Sequence, residues 1–277
     1  MKTWYITGTS TGLGRKYAEA ALARGDQVAA ASIDPENMTD YNRRFGNQAL
    51  VQYLDVTNRE MVEKCFTEAI DHFGHIDVCV NNAGYIQCGA VEEMSEIEAR
   101  NIFDCNFFGT LFVTQQAAKH MRERRSGTIV QTASLSAVDT IAGEGLYGAT
   151  KHAILGMSGA LYHELKEFGV RVVVIEPGPI KTNMAKRARL CEQRIPDYER
   201  VLEPETTRWS TEDNAVDTGD ASKCAQILLR VVDSENPPRQ IVFTSFAYEI
   251  LQNSVKERMR EAEEWKEVSF SADMDDV

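Results

Sequence analysis

A tyrosine and a lysine stand four residues apart, at Tyr147 and Lys151. In a helix, this spacing places both side chains on one face. An ammonium group beside a phenol stabilises the phenolate, so the tyrosine exchanges a proton closer to neutral pH than its free pKa of roughly 10 allows. Such a pair could give a proton to a ketone oxygen or take one from an alcohol. The spacing alone is common, and a surface tyrosine stacked on a lysine stem is the competing interpretation.

A glycine-rich stretch at residues 6–14 joins the first apolar run to a helical pattern. Gly8 permits a turn, Gly12 leaves room for a pyrophosphate to approach the backbone, and Gly14 lets the helix pack closely on the strand. The helix N-terminus then presents free N–H groups and partial positive charge to the phosphates. The spacing differs from the G-x-G-x-x-G fingerprint, but its place between strand and helix favours a dinucleotide site over a turn without a ligand.

These groups must be positioned by a fold in which apolar runs alternate with helical patterns. Helices are expected at residues 13–24, 59–73, 95–122, 147–168, 220–232 and 246–265. Strands such as 170–175 are almost wholly apolar, as in a parallel sheet covered on both faces. Ligands bind such sheets at the carboxyl ends of the strands. The strands are expected to begin near Trp4, Val28, Ala49, Val78, Thr128, Val170 and Gln240.

Composition limits the class of protein. The chain has 277 residues, with 43% apolar and 26% charged residues, which fits one large α/β domain. The net charge of −12 argues against nucleic-acid binding, which needs a basic face. Part of this acid lies in the tail at residues 261–277, which is expected to be solvated.

The cysteine pattern and the N-terminus bear on location. No C-x-x-C pair occurs, so neither a metal site nor a redox site is predicted. The chain shows no secretory start and no apolar run near the ~18 residues of a membrane span, which favours a reduced, cytoplasmic setting without a membrane span. The cysteines are scattered at Cys65, Cys79, Cys88, Cys105, Cys191 and Cys224.

The stretch at residues 184–218 interrupts the alternation of strands and helices. It is polar and charged, and it follows the rigid turn Pro177-Gly178-Pro179 on the side where the ligand crevice should open. A long insertion at this place is expected to be a substrate lid, with an unstructured loop as the alternative.

Five motifs occur in a fixed order along the chain. They are Thr7-Gly8-x-x-x-Gly12-x-Gly14, Asn81-Asn82-Ala83-Gly84, Ser134, Tyr147-x-x-x-Lys151 and Pro177-Gly178. Together they resemble the short-chain dehydrogenase/reductase family from Lys2 to about Thr182, and more loosely to the end. The resemblance implies one Rossmann-type domain over residues 1–277, with a seven-stranded, doubly wound parallel sheet flanked by helices. It also implies a nicotinamide cofactor, an alcohol or ketone substrate, and a homodimer or homotetramer.

The resemblance assigns four side chains to the reaction. Ser134 would hold the substrate oxygen by a hydrogen bond, with Ser136 as an alternative of poorer register. Tyr147 would be the acid in reduction and the base in oxidation, and Lys151 would lower the pKa of Tyr147 and hold the nicotinamide ribose. Asn106 would anchor a water that relays protons to Lys151; a helix kink without a relay is the alternative.

The same resemblance assigns residues to the dinucleotide. Three of its assignments have a purely structural alternative. Asp55, an acid at a strand end, could be only a cap, and Thr182 could be only an N-cap. The Asn-Asn-Ala-Gly stretch could be only a turn that stabilises the sheet. The assignments, besides Tyr147 and Lys151, are Gly8, Ser10, Thr11, Gly12, Leu13 and Gly14 in the phosphate loop, Asp55 and Val56 for the adenine, Asn82, Ala83 and Gly84 for the adenosine ribose, and Pro177, Gly178, Ile180 and Thr182 for the carboxamide.

The end of the second strand bears on the choice between NAD and NADP. By register, Ser32 takes the place of the family's acid, and Ile33 stands where NADP-preferring relatives often carry arginine. Asp34 follows two residues later and is near enough to repel a 2′-phosphate, which favours NAD. Arg15 could offset this repulsion, so NADP remains the alternative.

The expected substrate is a secondary alcohol or ketone on a hydrophobic or cyclic frame, such as a steroid. The C-terminal half loosely resembles retinol and 17β-hydroxysteroid dehydrogenases. A catalytically silent dinucleotide-binding regulator is the alternative function, but it should lack part of the serine, tyrosine and lysine set. The expected apolar walls are Tyr85, Ile86, Leu135, Leu146 and Met184, although ordinary core packing would explain them equally well.

Overall fold

The computed structural model describes residues 1–182, 184–210 and 219–274. The strands in this part of the chain are β1 (Thr3–Thr7), β2 (Gln27–Ser32), β3 (Ala49–Tyr53), β4 (Val78–Asn81), β5 (Gln87–Cys88), β6 (Gly127–Thr132), β7 (Val170–Pro177), β8 (Ile180–Lys181), β9 (Arg189–Leu190), β10 (Gly219–Asp220) and β11 (Gln240–Phe243). The helices are α1 (Gly12–Ala23), α2 (Asp40–Phe45), α3 (Arg59–Phe73), α4 (Glu96–Phe103), α5 (Thr110–Arg124), α6 (Gly145–Lys166), α7 (Met184–Arg187), α8 (Pro196–Ser210), α9 (Ala221–Asp233), α10 (Ser245–Glu264) and α11 (Lys266–Phe270).

Seven strands form one parallel sheet in the order β11-β7-β6-β4-β1-β2-β3. The chain runs outward from β1 to β3 on one side and from β4 to β11 on the other. The strand order therefore reverses between β1 and β4, and a crevice for a ligand opens at the carboxyl ends of these two strands. The predicted seven-stranded, doubly wound sheet is confirmed.

Two apolar layers cover the sheet because alternate side chains of each strand point to opposite faces. Trp4 and Ile6 of β1 pack on one face, with α1 and α9. Tyr5 packs on the other face, with α3, α5 and α6. Both faces of β1 are fully buried, which explains why this strand reads as a continuous apolar run.

The seven main strands begin at the predicted residues or one residue earlier. The predicted helix over residues 95–122 is wrong in one respect: a π-helical turn at Asp104–Gly109 separates α4 from α5. An extra residue in a turn leaves no mark in an apolar pattern read at helical spacing.

The predicted lid at residues 184–218 contains two helices and a short strand in its described part. These helices escaped prediction because one is a single turn and the other is rich in charge. Residue 183 and residues 211–218 lie outside the described part of the chain, as do residues 275–277 of the predicted acidic tail. Of the helices that are described, none has both the length and the apolar character needed to cross a membrane.

Candidate active site

The glycine-rich loop takes a backbone path that only glycine fits well. Gly8 and Gly12 have φ values of 70° and 59°. A Cβ on Gly14 would lie 2.3 Å from the carbonyl oxygen of Gly8 and 2.4 Å from Asn82 Nδ2. The loop therefore folds tightly back on the start of α1, as the spacing of these glycines predicted.

The start of α1 has the properties of an anion site. Its N-cap residue, Thr11, is extended and makes no capping bond through its hydroxyl. The first turn of α1 carries no acidic side chain. Its backbone N–H groups are thus left for a ligand, and the helix dipole favours negative charge there. These residues fit the pyrophosphate of a dinucleotide.

The turn after β4 is fastened to the phosphate loop. Thr7 Oγ1 accepts hydrogen bonds from the backbone N–H groups of Asn82 and Ala83, both at 3.0 Å. Asn82 Nδ2 donates to the carbonyl oxygens of Thr7 and Gly8, at 3.1 and 3.3 Å. The turn therefore stabilises the sheet, as its alternative interpretation held. The contact of Asn82, Ala83 and Gly84 with a ribose stays a prediction.

The end of β2 lies beside the phosphate loop, because the N–H of Gly8 donates to the carbonyl oxygen of Ala31 at 2.8 Å. Ser32 is buried and accepts a hydrogen bond from the N–H of Asp34 at 3.2 Å, whereas Ile33 is 56% exposed. The carboxylate of Asp34 forms an ion pair with Arg187 of α7 at 3.0 Å. Sequence reasoning missed this arginine, although basic residues do cluster there, at Lys181, Arg187 and Arg189.

Arg15 is committed to other partners. Its guanidinium lies 3.0 Å from Glu19 and 3.4 Å from Asp40, and it also donates to the carbonyl oxygen of Asn37. The predicted compensation of Asp34 by Arg15 therefore has no contact to support it, whereas Arg187 supplies one.

The predicted adenine pair follows β3. Asp55 Oδ1 accepts hydrogen bonds from the N–H and the hydroxyl of Thr57, at 2.9 and 2.8 Å. Val56 is buried against Gly109, where an added Cβ would lie 2.6 Å from Val56 Cγ2. Asp55 thus caps a turn, as its alternative interpretation held, and its contact with adenine stays a prediction.

Tyr147 and Lys151 lie on the first two turns of α6, and each is only 5% exposed. Lys151 Nζ donates to the carbonyl oxygen of Thr132 at 2.9 Å and lies 5.6 Å from the centre of the Tyr147 ring. Burial lowers the pKa of Lys151 to about 8, so the ammonium form still predominates at neutral pH. The interpretation as a surface tyrosine stacked on a lysine stem is therefore wrong.

Asn106 joins three parts of the site from the π-helical turn. Its side chain is fully buried; it accepts a hydrogen bond from the N–H of Tyr85 at 3.0 Å and donates to the carbonyl oxygen of Tyr85 at 2.9 Å and to Thr150 Oγ1 at 3.2 Å. A Cβ on Gly84 would lie 3.0 Å from Asn106 Oδ1 and 3.8 Å from Lys151 Nζ. Asn106, Gly84 and Lys151 therefore meet behind the tyrosine.

Ser134 follows β6 and is half-buried. Its Oγ accepts a hydrogen bond from the N–H of Ser136 at 3.1 Å. The hydroxyl of Ser136 donates instead to the buried carboxyl of Glu144 at 2.6 Å, so Ser134 remains the better candidate. A Cβ on Gly148 would lie 3.1 Å from the carbonyl oxygen of Ser136, which places this loop beside Tyr147. Nothing in the sequence pattern had indicated Glu144.

The stretch predicted for the carboxamide runs from the end of β7 across the phosphate loop. Gly178 lies against Thr244 and Ala247, where a Cβ would be 3.0 Å from both side chains, and Ile180 is buried. The side chain of Thr182 would lie 3.7 Å from a Cβ on Gly12. Its hydroxyl accepts a hydrogen bond from the N–H of Met184 at 3.2 Å, so Thr182 does cap α7, and its contact with a carboxamide stays a prediction.

The expected apolar walls are only partly assembled around the tyrosine. Tyr147 packs in one cluster with Ile86, Cys88 and Ile102, with Tyr85 and Leu146 against it. Met184, by contrast, is 40% exposed. Ile86 and Leu146 therefore pack beside the tyrosine, and their role as walls of a substrate pocket stays a prediction.

A buried glutamate anchors the segment that follows β9. Glu93 accepts hydrogen bonds from the N–H groups of Ile195 and Ala90, at 2.7 and 2.9 Å, and pairs with Arg194 at 3.6 Å. Burial raises the pKa of Glu93, but the hydrogen bond from Ile195 and the other donors outweigh it and hold this pKa below its usual value. This anchor was missed because no local pattern links Glu93 to residues about a hundred positions later.

Comparisons with known proteins give a family and close structural relatives. The family model for short chain dehydrogenases matches residues 2–193. An oxidoreductase of Botryotinia fuckeliana, BOA17, is 31% identical over 98% of this chain and 99% of its own length. The crystal structure of a short-chain dehydrogenase from Streptomyces avermitilis superposes with a TM-score of 0.92, at 33% identity, over 99% of both chains.

Two more distant structures share the fold and carry a dinucleotide. A short-chain dehydrogenase/reductase from Burkholderia phymatum, in complex with NAD, has a TM-score of 0.81 at 24% identity, over 95% of this chain and 94% of its own. A serine dehydrogenase in complex with NADP+ has a TM-score of 0.75 at 21% identity, over 87% of this chain and 94% of its own.

Proposed function

Because this chain belongs to the short-chain dehydrogenase/reductase family and is an oxidoreductase acting on CH–OH groups, we propose that it interconverts a secondary alcohol and a ketone with Tyr147 as the general acid and base. The observation that carries this proposal is the buried pair of Tyr147 and Lys151, one helical turn apart and at the carboxyl end of β6. A tyrosine in this setting can move a proton on and off a substrate oxygen.

The cofactor is a nicotinamide dinucleotide, which supplies or accepts the hydride when bound. The N–H groups at the start of α1 hold its phosphates, and the glycines of the loop allow its close approach. Lys151 would hold the ribose next to the nicotinamide, and Thr182 would orient the carboxamide. The strand order reverses between β1 and β4, which is where sheets of this kind bind a dinucleotide.

The proton and the charge are handled by three side chains of the chain itself. In reduction, Tyr147 gives its proton to the substrate oxygen, and in oxidation it takes that proton back. Lys151 stabilises the phenolate through its charge, which is favoured below its pKa of about 8. Ser134 donates a hydrogen bond to the substrate oxygen by turning its hydroxyl away from Ser136 Oγ, which lies 3.3 Å away, while the N–H of Ser136 fixes the Ser134 oxygen.

NAD is the preferred form of the cofactor. Asp34 places a carboxylate just beyond the end of β2, where it can bind ribose hydroxyls and repel a 2′-phosphate. Arg15 does not offset this charge, since its guanidinium contacts Glu19, Asp40 and the carbonyl oxygen of Asn37.

The substrate is hydrophobic or cyclic and is covered by the lid at residues 184–218. Supporting observations come from the described part of this lid: Ala188 packs against the cluster that contains Tyr147, and the Arg189 guanidinium lies 4.3 Å from the centre of the Tyr85 ring. A lid so close to the tyrosine would exclude water during the reaction.

The active form is a homodimer or homotetramer that pairs α5 and α6 across a two-fold axis. Phe108 is 41% exposed, and among the described residues a Cβ on Gly156 or Gly159 of α6 would have no neighbour within 4 Å beyond the adjoining backbone of its own helix. Light scattering that gave a monomer at micromolar concentration would contradict this assembly.

Substrate screening with labelled cofactor tests the function. Cyclohexanone, acetophenone and estrone are offered with NADH and with NADPH, each deuterated at the transferable position, and the products are analysed by mass spectrometry. We expect deuterium on the carbinol carbon of at least one product. Cofactor binding without deuterium transfer to any ketone, and without turnover of the matching alcohols, would contradict the proposed function.

A further inference from the structure

The ion pair between Asp34 and Arg187 joins two distant parts of the chain at the adenosine end of the proposed cofactor site. Asp34 Oδ2 lies 3.0 Å from Arg187 Nη2, and the two residues are 153 positions apart. Both side chains are partly exposed, at 30% for Asp34 and 45% for Arg187, so a ligand can reach either one. From this geometry, and resting on the proposed function, we infer that Arg187 is a specificity-determining residue that allows the protein to bind NADP as well as NAD.

The path of the backbone explains how α7 reaches this place. After β7, Thr182 lies across the phosphate loop near Gly12, and its hydroxyl caps the first N–H of α7 at Met184. One turn later, Arg187 is directed to the end of β2. The N–H groups of Gly8 and Thr9 bond to the carbonyl oxygen of Ala31, so the end of β2 is next to the phosphates. Arg187 therefore stands over the place where the ribose of the adenosine half would lie.

Charge gives Arg187 its effect on the cofactor. An acid alone at this position repels the 2′-phosphate of NADP, and the usual remedy in dinucleotide-binding folds is an arginine nearby. Guanidinium groups bind phosphate through paired N–H donors. Here the arginine is not on the strand or the loop that forms the adenosine site but on the segment that follows β7. It offsets part of the charge of Asp34, so NADP can bind even though NAD is preferred, and it offers its remaining N–H groups to the 2′-phosphate.

The position of Arg187 also links cofactor choice to the cover of the active site. Ala188, the next residue, packs against the cluster that holds Tyr147 and Ile86. Arg189 stacks on Tyr85, and β9 pairs with β5. A 2′-phosphate bound by Arg187 would hold this segment down at its near end, while Glu93 holds it at the far end.

Direct binding measurements test this inference without a known substrate. Dissociation constants for NADH and NADPH are measured by nucleotide fluorescence for the unchanged protein, Arg187→Ala and Arg15→Ala. We expect Arg187→Ala to weaken NADPH binding about tenfold while changing NADH binding less than twofold. Asp34→Asn should act in the opposite direction and strengthen NADPH binding. Arg15→Ala is the matched control, since it removes an arginine from the same region that does not contact Asp34, and it should leave the ratio unchanged.

Competition with 2′,5′-ADP and 5′-ADP isolates the phosphate. Arg187→Ala should weaken the binding of 2′,5′-ADP about tenfold and leave the binding of 5′-ADP unchanged. Equal changes for both nucleotides, or an unchanged ratio of NADPH to NADH binding, would overturn the inference while leaving the proposed function intact. Failure of the unchanged protein to bind either dinucleotide would instead overturn the proposed function.

Discussion

The floor and the cover of the candidate site are held by different contacts. The floor, formed by Asn106, Tyr147 and Lys151, is buried; hydrogen bonds to the backbone of neighbouring elements fix Asn106 and Lys151, and apolar packing surrounds Tyr147. The proposed cover, described at residues 182 and 184–210, is held by the partly exposed ion pair of Arg187 with Asp34 and by hydrogen bonds to the buried Glu93. Buried polar groups whose hydrogen bonds are satisfied hold one arrangement, whereas exposed ion pairs contribute little to stability and exchange partners readily. The floor therefore suits the chemistry, and the cover suits the choice of ligand.

Removing the charge from the floor should have the largest effect. Lys151→Met deletes the ammonium group that stabilises the phenolate of Tyr147, and we expect kcat to fall about 10²- to 10⁴-fold. Steady-state rates with the best ketone of the screen measure this loss. Lys166→Met removes an exposed lysine from the same helix and should change kcat less than twofold. A Lys151→Met protein that folds normally and keeps its kcat would refute the role of Lys151.

The dependence of stability on pH tests how well water is excluded from β7, the strand that leads into the stretch 177–182. Glu176 of β7 is buried, and burial raises its pKa to about 7. Its folded pKa lies above its unfolded value, so its contribution to stability is present at low pH and is lost as the pH rises through about 7. Glu176→Gln should therefore gain stability relative to the unchanged protein, by a few kcal/mol at pH 8 and by almost nothing at pH 4.5.

Urea unfolding at a series of pH values measures that difference. A gap between the two proteins that stays constant from pH 4.5 to 8 would contradict the raised pKa of Glu176. Glu164→Gln is the matched control because this glutamate is exposed, and its stability difference should not vary with pH.

A change in the packing of the glycine-rich loop should have a smaller effect on stability. In Gly14→Ala, the added Cβ would lie 2.3 Å from a backbone oxygen that cannot move without the loop. We expect the free energy of unfolding to fall by about 1–3 kcal/mol and dinucleotide binding to weaken. Lys16→Ala, on the exposed side of the same helix, should change stability by less than about 0.5 kcal/mol. A fully stable Gly14→Ala protein with normal binding would show that the loop has another conformation.

The cover should give the smallest response. Glu93→Gln weakens the anchor of residues 191–195 without touching the floor, so KM for the ketone should rise about three- to tenfold while kcat changes little. Glu96→Gln removes an exposed partner of Arg100 and is the control. A fall in kcat as large as that of Lys151→Met would erase the distinction between floor and cover.

Prediction from sequence succeeded where the cause is local. Glycines that permit a turn, an apolar run that fills both faces of a sheet, and a tyrosine four residues before a lysine each leave a pattern at short range. The starts of the seven strands and the family follow from such patterns. The individual contacts of Asn82, Asp55 and Thr182 with a cofactor do not, since each of these side chains also has a structural partner in the fold.

Features held by long-range contacts could not be predicted in the same way. Arg187 meets Asp34, and Ile195 meets Glu93, only after the chain has passed through several strands of the sheet. The π-helical turn around Asn106 was missed because one inserted residue does not disturb the apolar pattern on either side of it. Charge-rich helices such as α8 likewise carry little apolar periodicity.

The proposed function depends most on the phenol of Tyr147, which moves the proton while other groups hold the cofactor. The most direct measurement compares Tyr147→Phe with the unchanged protein in single turnover, with NADH binding followed separately by fluorescence. We expect hydride transfer to fall at least about a hundredfold while the dissociation constant of NADH changes less than twofold. Hydride transfer at an unchanged rate in Tyr147→Phe would contradict the proposed role of Tyr147.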